Sequence, residues 1–195
     1  MKRIPWFLKL LLILAVAFTA ARLLMTQVIG NNQVSGDSMQ PTLQSNDRLL
    51  SRRHASIAHN QIVVIKAPDA PAGTLYIKRV IGLPGDTVRV KNERLYLNGK
   101  LQKQPYLKTS FMRQEIQAWA TLHHKEGTNI QFTQDFDLKS NRATHSTRVP
   151  AGKYFVMGDN RFVSHDGRAF GFISRAQIDS VVIWRYWPLT KMHTY

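Results

Sequence analysis

The chain has 195 residues, no cysteine and a formal net charge of +15. This length suffices for one globular domain with a membrane anchor, and the absence of cysteine excludes disulfides, cysteine nucleophiles and cysteine-based metal sites. The positive charge suits nucleic acid or an anionic membrane surface. Because the basic residues are scattered and no zinc-finger or RNP signature accompanies them, we expect membrane lipid as a partner and no nucleic acid.

The first thirty residues are largely apolar and carry only positive charge. Their charged residues are Lys2, Arg3, Lys9 and Arg22. A cleaved signal peptide has such a charged start and a short apolar core. We favour an uncleaved anchor because apolar residues continue beyond Arg22 to Ile29. Lys2 and Arg3 place the N-terminus in the cytoplasm. The expected organisation is a cytoplasmic stub and one transmembrane helix over residues 1–30, followed by an extracytoplasmic domain over residues 31–195.

The first motif of the domain is Ser35-Gly36-Asp37-Ser38-Met39-Gln40-Pro41-Thr42-Leu43. Its residue types are common in ordinary turns, so a loop without a catalytic role is one interpretation. The other is that Ser38 is a nucleophile on a tight turn, where Gly36 lets the backbone approach a bound peptide. If the membrane ends near Ile29, an extended chain at ~3.5 Å per residue keeps Ser38 within ~30 Å of it.

Most of the remaining chain has the pattern of β-strands. Runs of β-branched or alternating apolar residues predict strands at 47–50, 61–66, 75–81, 87–90, 153–157 and 181–184. Asn98-Gly99 between two such runs predicts a hairpin with a type I′ turn. We therefore expect a mostly β fold, with a catalytic core of antiparallel β-sheet behind the transmembrane helix.

The segment 104–148, here called the insertion, is harder to assign. Phe111 to Leu122 has the pattern of either a short helix or a strand, and Ile130 to Phe132 has the pattern of a strand. The polar stretches around them indicate loops. We expect the insertion to form a second, β-rich lobe on the core.

A serine nucleophile needs an activating base, and histidine is the first candidate. His165 and Asp166 are adjacent, but neighbours in an extended segment face opposite ways and cannot easily form the in-line hydrogen bond of a triad. The other histidines lie in polar, loop-like stretches and are expected at the surface. They are His54, His59, His123, His124, His145 and His193.

Lysine is the second candidate, because Lys78 interrupts the apolar run from Leu75 to Ile81. Side chains alternate along a strand, so one of Lys78 and Arg79 can point inward while the other faces solvent. Burial lowers the pKa of a lysine and makes it a usable base. The alternative is that both are exposed charges on an edge strand.

Three stretches together resemble the sequence motifs of type I signal peptidases. The first is the motif around Ser38, the second runs from Lys78 to Asp86, and the third is Gly158-Asp159-Asn160-Arg161 with Ser164, Asp166 and Arg168. Their order and the basic, hydrophobic N-terminus also match that family. The resemblance implies a Ser-Lys endopeptidase of the bacterial cytoplasmic membrane, with its N-terminus in the cytoplasm and its catalytic domain on the outer side. Its partners would be the signal peptides of exported preproteins, cut after a small-x-small motif.

The resemblance also assigns roles at the reacting centre. Ser38 would be the nucleophile and Lys78 the general base, without metal or cofactor. Gly36, Ser38 and Met39 would line the substrate cleft, and the backbone N–H of Ser38 would contribute to the oxyanion hole. Some members of the family have serine where this chain has Gly36, and a side-chain donor from Ser35 is left open.

Four further residues correspond to supporting positions of the third motif. Ser164 matches a serine that orients the lysine, while Asp159, Asp166 and Arg168 would form a polar network beneath the site. The chain departs from the family pattern at Phe162-Val163, where Asp-Asn is usual, and at Gly167 and Ala169.

These departures leave room for a specialised peptidase that matures a conjugation pilin or a secretion-system substrate. A self-cleaving Ser-Lys repressor shares the catalytic pair but should carry a DNA-binding helix-turn-helix in place of the apolar N-terminus. A non-catalytic, membrane-anchored β-domain that binds an acidic partner is the alternative outside enzymes. The oligomeric state is left open.

Overall fold

An N-terminal helix, α1 (Trp6–Val28), precedes the β domain in the computed structural model, which describes residues 5–125 and 129–195. At 1.5 Å per residue, its 23 residues extend about 35 Å, enough to cross a hydrocarbon core of about 30 Å. The residues of α1 whose burial the structure describes are all exposed, so α1 packs little against the domain. The helix agrees with the predicted anchor. Lys2 and Arg3, on which the predicted orientation rests, lie outside the described residues.

The described part of the domain contains twelve strands and two further α-helices. The strands are β1 (Ile29–Gln33), β2 (Arg48–Arg53), β3 (Ile62–Lys66), β4 (Leu75–Gly82), β5 (Val88–Lys91), β6 (Arg94–Leu97), β7 (Lys100–Gln102), β8 (Phe136–Asp137), β9 (Lys153–Met157), β10 (Ile173–Ser174), β11 (Ile178–Trp187) and β12 (His193–Thr194). The helices are α2 (Thr109–Leu122) and α3 (Gly167–Phe170), with short 3₁₀ turns at Arg175–Gln177 and Leu189–Lys191. All recorded strand pairings are antiparallel, which confirms the predicted fold class.

The larger sheet has the strand order β1-β2-β11-β3-β4-β9-β10, and β12 pairs with β11. Strand β1 begins directly where α1 ends, with Ile29 opposite Arg52. The sequence did not predict β1, because its residues Ile-Gly-Asn-Asn-Gln lack both β-branched density and apolar alternation. This strand ties the helix to the sheet and leads the chain straight to the Ser38 motif.

The smaller sheet has the order β7-β6-β5-β8 and contains the predicted hairpin. Asn98 and Gly99 have φ values of 52° and 76°, and a type I′ turn requires positive φ at both central residues. The Asn98 side chain accepts from the backbone N–H of Thr87 and donates to Asp86, which fixes the hairpin to the turn that leads from the larger sheet. The hairpin prediction is confirmed.

The core lies in three apolar clusters. One is shared by both sheets, with Ile81 and Phe155 from the larger sheet against Val90 and Leu95 from the smaller one. A second packs against the other side of the larger sheet and includes Val80 and Val156. The third includes Met39, Leu43 and Leu49 together with Ile62, Val64 and Val182. At ~1.5–3 kcal/mol for each buried aliphatic side chain, this third cluster holds the Ser38 motif firmly on the sheet.

The insertion differs from its prediction as a β-rich lobe. Its main element is the 14-residue helix α2, and its one described strand, β8, has two residues and joins the smaller sheet beside β5. Ile130 to Phe132 is not a strand. The partly or fully buried positions of α2 repeat with helical spacing, at 111, 112, 115, 116, 119 and 120. The residue preferences of this segment allowed either a helix or a strand, and packing of this one face against the domain favours the helix.

Candidate active site

Ser38 and Lys78 are brought into direct contact. Lys78 lies on β4 opposite Val63 of β3, and its side chain turns inward, with only 3% of the residue exposed. Its Nζ donates a hydrogen bond of 2.9 Å to the Oγ of Ser38. The Ser38 turn is held on the sheet by the buried side chains of Met39 and Leu43. The pair therefore joins two chain segments that are separately anchored in the core.

Burial changes the acid–base chemistry of Lys78. Loss of water around the ammonium lowers the pKa of Lys78 from 10.5 to about 8. The negative charge of Asp166 opposes this shift, and the positive charge of Arg168 adds to it. A fraction of Lys78 is then neutral near physiological pH. A neutral amine in contact with a hydroxyl can accept its proton, as a general base must.

The buried carboxylate of Asp166 forms an ion pair with the half-buried Arg168 that organises the third motif. The guanidinium donates to both carboxylate oxygens at 2.9 Å, and the same carboxylate caps α3 by accepting from the backbone N–H of Arg168. The backbone N–H of Gly158 also donates a hydrogen bond of 2.9 Å to the Asp166 carboxylate. Burial alone would raise the pKa of Asp166, but the hydrogen bonds and charge of Arg168 outweigh it and lower that pKa. Asp166 therefore stays a carboxylate.

Asp159 belongs to a second ion pair, with Arg79, in which both side chains are buried. The guanidinium donates to the carboxylate through Nε at 2.8 Å and Nη2 at 2.5 Å, and the Thr42 hydroxyl donates to the same carboxylate. The Arg79 guanidinium also lies 3.9 Å from the centre of the Tyr106 ring. The expectation that only one of Lys78 and Arg79 points inward was wrong. Arg79 is 5% exposed because Asp159 offers a partner inside the protein.

Ser164 has no described hydrogen bond to Ser38 or to Lys78. Its backbone N–H donates to the carbonyl of Asn160, and its buried hydroxyl lies near the carboxylate of Asp166, whose pKa it helps to lower. A Cβ added at Gly158 would lie 2.1 Å from that Oγ and 2.5 Å from the carbonyl oxygen of Ser38. Gly158 thus lets the third motif approach the Ser38 turn closely.

A cleft of about 290 Å³ opens beside Ser38 and Lys78. Its walls come from β1 with the following turn, from β4, and from the buried side chains of Val64 and Met39. Gly36 lines this cleft with φ of 83°, in the left-handed region that favours glycine. The cleft is small for a ligand site, which suits short side chains of an extended peptide.

Sequence reasoning did not assign roles to several residues that complete the arrangement. Arg79 and Thr42 surround Asp159, and the backbone N–H of Asn160 donates to the Ser38 carbonyl at 3.0 Å. Tyr76 lines the cleft, with its ring centre 5.4 Å from Lys78 Nζ. All four residues lie within or beside the three motifs, so the sequence marked their positions. It could not show which groups they contact in the folded protein. The six histidines expected at the surface are all exposed, which confirms that prediction.

Comparisons with known proteins agree on one family. The family model described as signal peptidase, peptidase S26, matches residues 5–187. Signal peptidase IB of Staphylococcus aureus is 36% identical over 182 residues, covering 91% of this chain and 88% of that protein. Signal peptidase I of Bacillus caldolyticus is 38% identical over 194 residues, covering 97% and 92%. The crystal structure of a signal peptidase I from Enterococcus faecalis matches with a TM-score of 0.53 and 36% identity, over 65% of this chain and 97% of that one.

Proposed function

The chain belongs to the signal peptidase S26 family, and we propose that it removes signal peptides from exported preproteins with Ser38 as nucleophile and Lys78 as general base. Family membership supports signal-peptide removal by a serine peptidase. The single observation that carries the residue assignment is the 2.9 Å contact between the Nζ of Lys78 and the Oγ of Ser38 in a buried setting. A serine, a desolvated amine and a peptide-sized cleft are the parts that such chemistry needs.

In the proposed first step, neutral Lys78 takes the hydroxyl proton of Ser38 while Oγ attacks the carbonyl carbon of the scissile peptide. The resulting oxyanion lies at the backbone N–H of Ser38, whose turn is fixed by Met39 in the core. The carbon–nitrogen bond then breaks, and the Lys78 ammonium gives its proton to the leaving amine. The signal peptide remains as an ester on Ser38.

In the proposed second step, a water molecule replaces the departed amine and Lys78, neutral again, accepts a proton from it. Hydroxide attack on the ester carbon breaks the bond to Oγ, and the proton returns from Lys78 to Ser38. Free enzyme and a signal peptide with a new carboxyl end result. Lys78 thus carries one proton in each half-reaction, which requires a pKa close to the working pH.

We also propose cleavage after a small-x-small motif. An extended peptide presents alternate side chains to the same wall, so the first and third residues before the cut would face the cleft. The cleft holds about 290 Å³, and Met39 and Val64 are buried behind it and leave little room to widen it. Small side chains at these two positions fit such a space, and large ones would have to displace core residues.

Family membership and helix α1 together indicate a membrane-anchored protein. We propose that residues 1–30 form a cytoplasmic stub and anchor, and that residues 31–195, with the insertion at 104–148, lie on the outer side of the bacterial cytoplasmic membrane. Because β1 starts where α1 ends, Ser38 is tied through one short strand to the membrane exit. This short connection suits a substrate whose cleavage site lies close to the bilayer.

The test is cleavage of a detergent-solubilised preprotein by wild type, Ser38→Ala and Lys78→Ala, with mass spectrometry of the products. Ser56→Ala and Lys100→Ala are matched controls, since both residues are exposed. We expect one cut after a small-x-small motif by wild type and both controls, and none by the two site variants. Cleavage by Ser38→Ala at the wild-type rate would overturn the nucleophile assignment. Cleavage of a pilin precursor but of no general preprotein would replace the proposed substrate class.

A further inference from the structure

Glu115 is an acidic residue on the packed face of α2. Its side chain is half-buried and lies one helical turn from Phe111 and from Trp119. Those two neighbours make aromatic contacts with Phe132 and Phe162, with ring centres 6.2 Å and 6.0 Å apart. Helical patterning would place an apolar residue at such a position. A carboxylate there needs a specific partner to offset its loss of water.

That partner is Asn160 of the third motif. The Nδ2 of Asn160 donates to Oε2 of Glu115 at 2.9 Å, and Asn160 is only 1% exposed. Through its backbone, Asn160 donates to the carbonyl of Ser38 at 3.0 Å and accepts from the N–H of Ser164 at 3.0 Å. Glu115 therefore holds the residue that contacts both serines. A hydrogen bond with a charged acceptor is stronger than one between neutral groups.

The rest of the insertion is docked on the same turn of chain. The Arg161 guanidinium donates to Gln104 and Thr133, and Phe162 stacks on Trp119. Phe162 is one of the positions where the chain departs from the family pattern, and its ring contacts the rings of Trp119 and Phe132 in the insertion. The insertion is thus built to hold residues 160–162 in place.

We propose that Glu115 is a positioning residue that orients Ser38 through Asn160. This inference rests on the proposed function, because it presumes that Ser38 reacts. The Ser38 carbonyl fixes the peptide plane that follows the nucleophile, so a loose Asn160 would let Oγ drift from the geometry needed for attack. Loss of the carboxylate should then reduce turnover more than substrate binding, since the cleft walls come from β1 and β4 and not from α2.

The experiment compares full-length wild type, Glu115→Ala, Glu115→Gln and Gln117→Ala in detergent, with kcat and KM measured on one preprotein. We expect kcat to fall about tenfold in Glu115→Ala with KM nearly unchanged, and to recover in Glu115→Gln, which retains an acceptor oxygen. Gln117 lies on the exposed face of the same helix and serves as the control. Glu115→Leu suits the packed face and replaces Glu115→Ala if the alanine variant does not fold.

A double-mutant cycle with Asn160→Ala separates positioning from general destabilisation. Glu115→Ala should have little further effect on kcat once Asn160 is alanine. An undiminished effect in that background, or wild-type kcat in Glu115→Ala or Glu115→Leu, would overturn the inference. The activity of Ser38→Ala tests the proposed function separately from the role of Glu115. If Ser38→Ala is inactive and Glu115→Ala is fully active, only the role of Glu115 fails.

Discussion

Lys78 and Arg79 are neighbours on β4 and are both buried, yet their side chains enter two different polar sites. Lys78 contacts the hydroxyl of Ser38, and Arg79 forms an ion pair with Asp159. The alternation of side chains along a strand sends them to opposite faces. Among the described residues, the desolvated amine of Lys78 has no carboxylate in hydrogen-bond contact, whereas the neighbouring guanidinium of Arg79 is paired with Asp159. Burial lowers the pKa of Lys78 to about 8, which suits base catalysis at moderate pH.

The pH dependence of activity should follow Lys78. Below a pH of about 8 the buried amine is mostly protonated and cannot accept the Ser38 proton, so kcat/KM should rise with pH and level off above that value. Initial rates on a preprotein across mildly acidic to alkaline pH measure this. His165→Gln is the control, because His165 is exposed and paired with Asp69. A rise of kcat/KM with pH that disappears in His165→Gln would assign the titration to that histidine and contradict the role of Lys78.

Asp159→Ala should destabilise the domain strongly. The change leaves the buried guanidinium of Arg79 without its partner, which costs about 3–5 kcal/mol in comparable buried pairs. Asp179→Ala is the matched control, since Asp179 pairs with the more exposed Arg53 at 3.2 Å and should cost about 1 kcal/mol or less. Urea unfolding of both variants in detergent measures the difference. If both variants lost the same free energy of unfolding, burial of the Arg79–Asp159 pair could not be the reason for the destabilisation.

Gly158→Ala should reduce activity at least tenfold. The added methyl group would lie 2.5 Å from the Ser38 carbonyl oxygen and 2.1 Å from Ser164 Oγ, so the Ser38 turn must move. Gly73→Ala is the control, because a Cβ there meets nothing within 4 Å and adds only backbone strain in a loop. Steady-state cleavage rates measure both. Wild-type turnover by Gly158→Ala would mean that the close approach of the two segments has no part in catalysis.

The mature protein should keep helix α1. An anchor is retained after synthesis, whereas a signal peptide would be removed with roughly the first twenty residues. Sequencing the N-terminus of protein extracted from membranes distinguishes the two, and Ser38→Ala removes the complication of self-cleavage during purification. A mature chain that begins after about residue 20 and is released by alkaline carbonate would exclude the anchor.

Much of the β architecture was predictable because it depends on local signals. Strands β3, β4 and β9 have dense β-branched or apolar runs, and Asn98-Gly99 specifies its own turn. Strand β1 and helix α2 were not predictable in the same way. The residues of β1 are mostly polar and become a strand by pairing with β2, and α2 is selected by contacts on one of its faces. Tertiary contacts overrode weak local preferences in both elements.

The three motifs, and with them the candidates Ser38 and Lys78, could be identified from the chain alone, because residue types and their order are properties of the sequence. Which polar groups contact each other depends on how the chain folds. Arg79 and Asp159 are 80 positions apart, and Glu115 and Asn160 are 45 apart. No local pattern encodes such pairings, since they arise from how the sheet and insertion pack. The lowered pKa of Lys78 likewise depends on desolvation, which exists only after the core has formed around it.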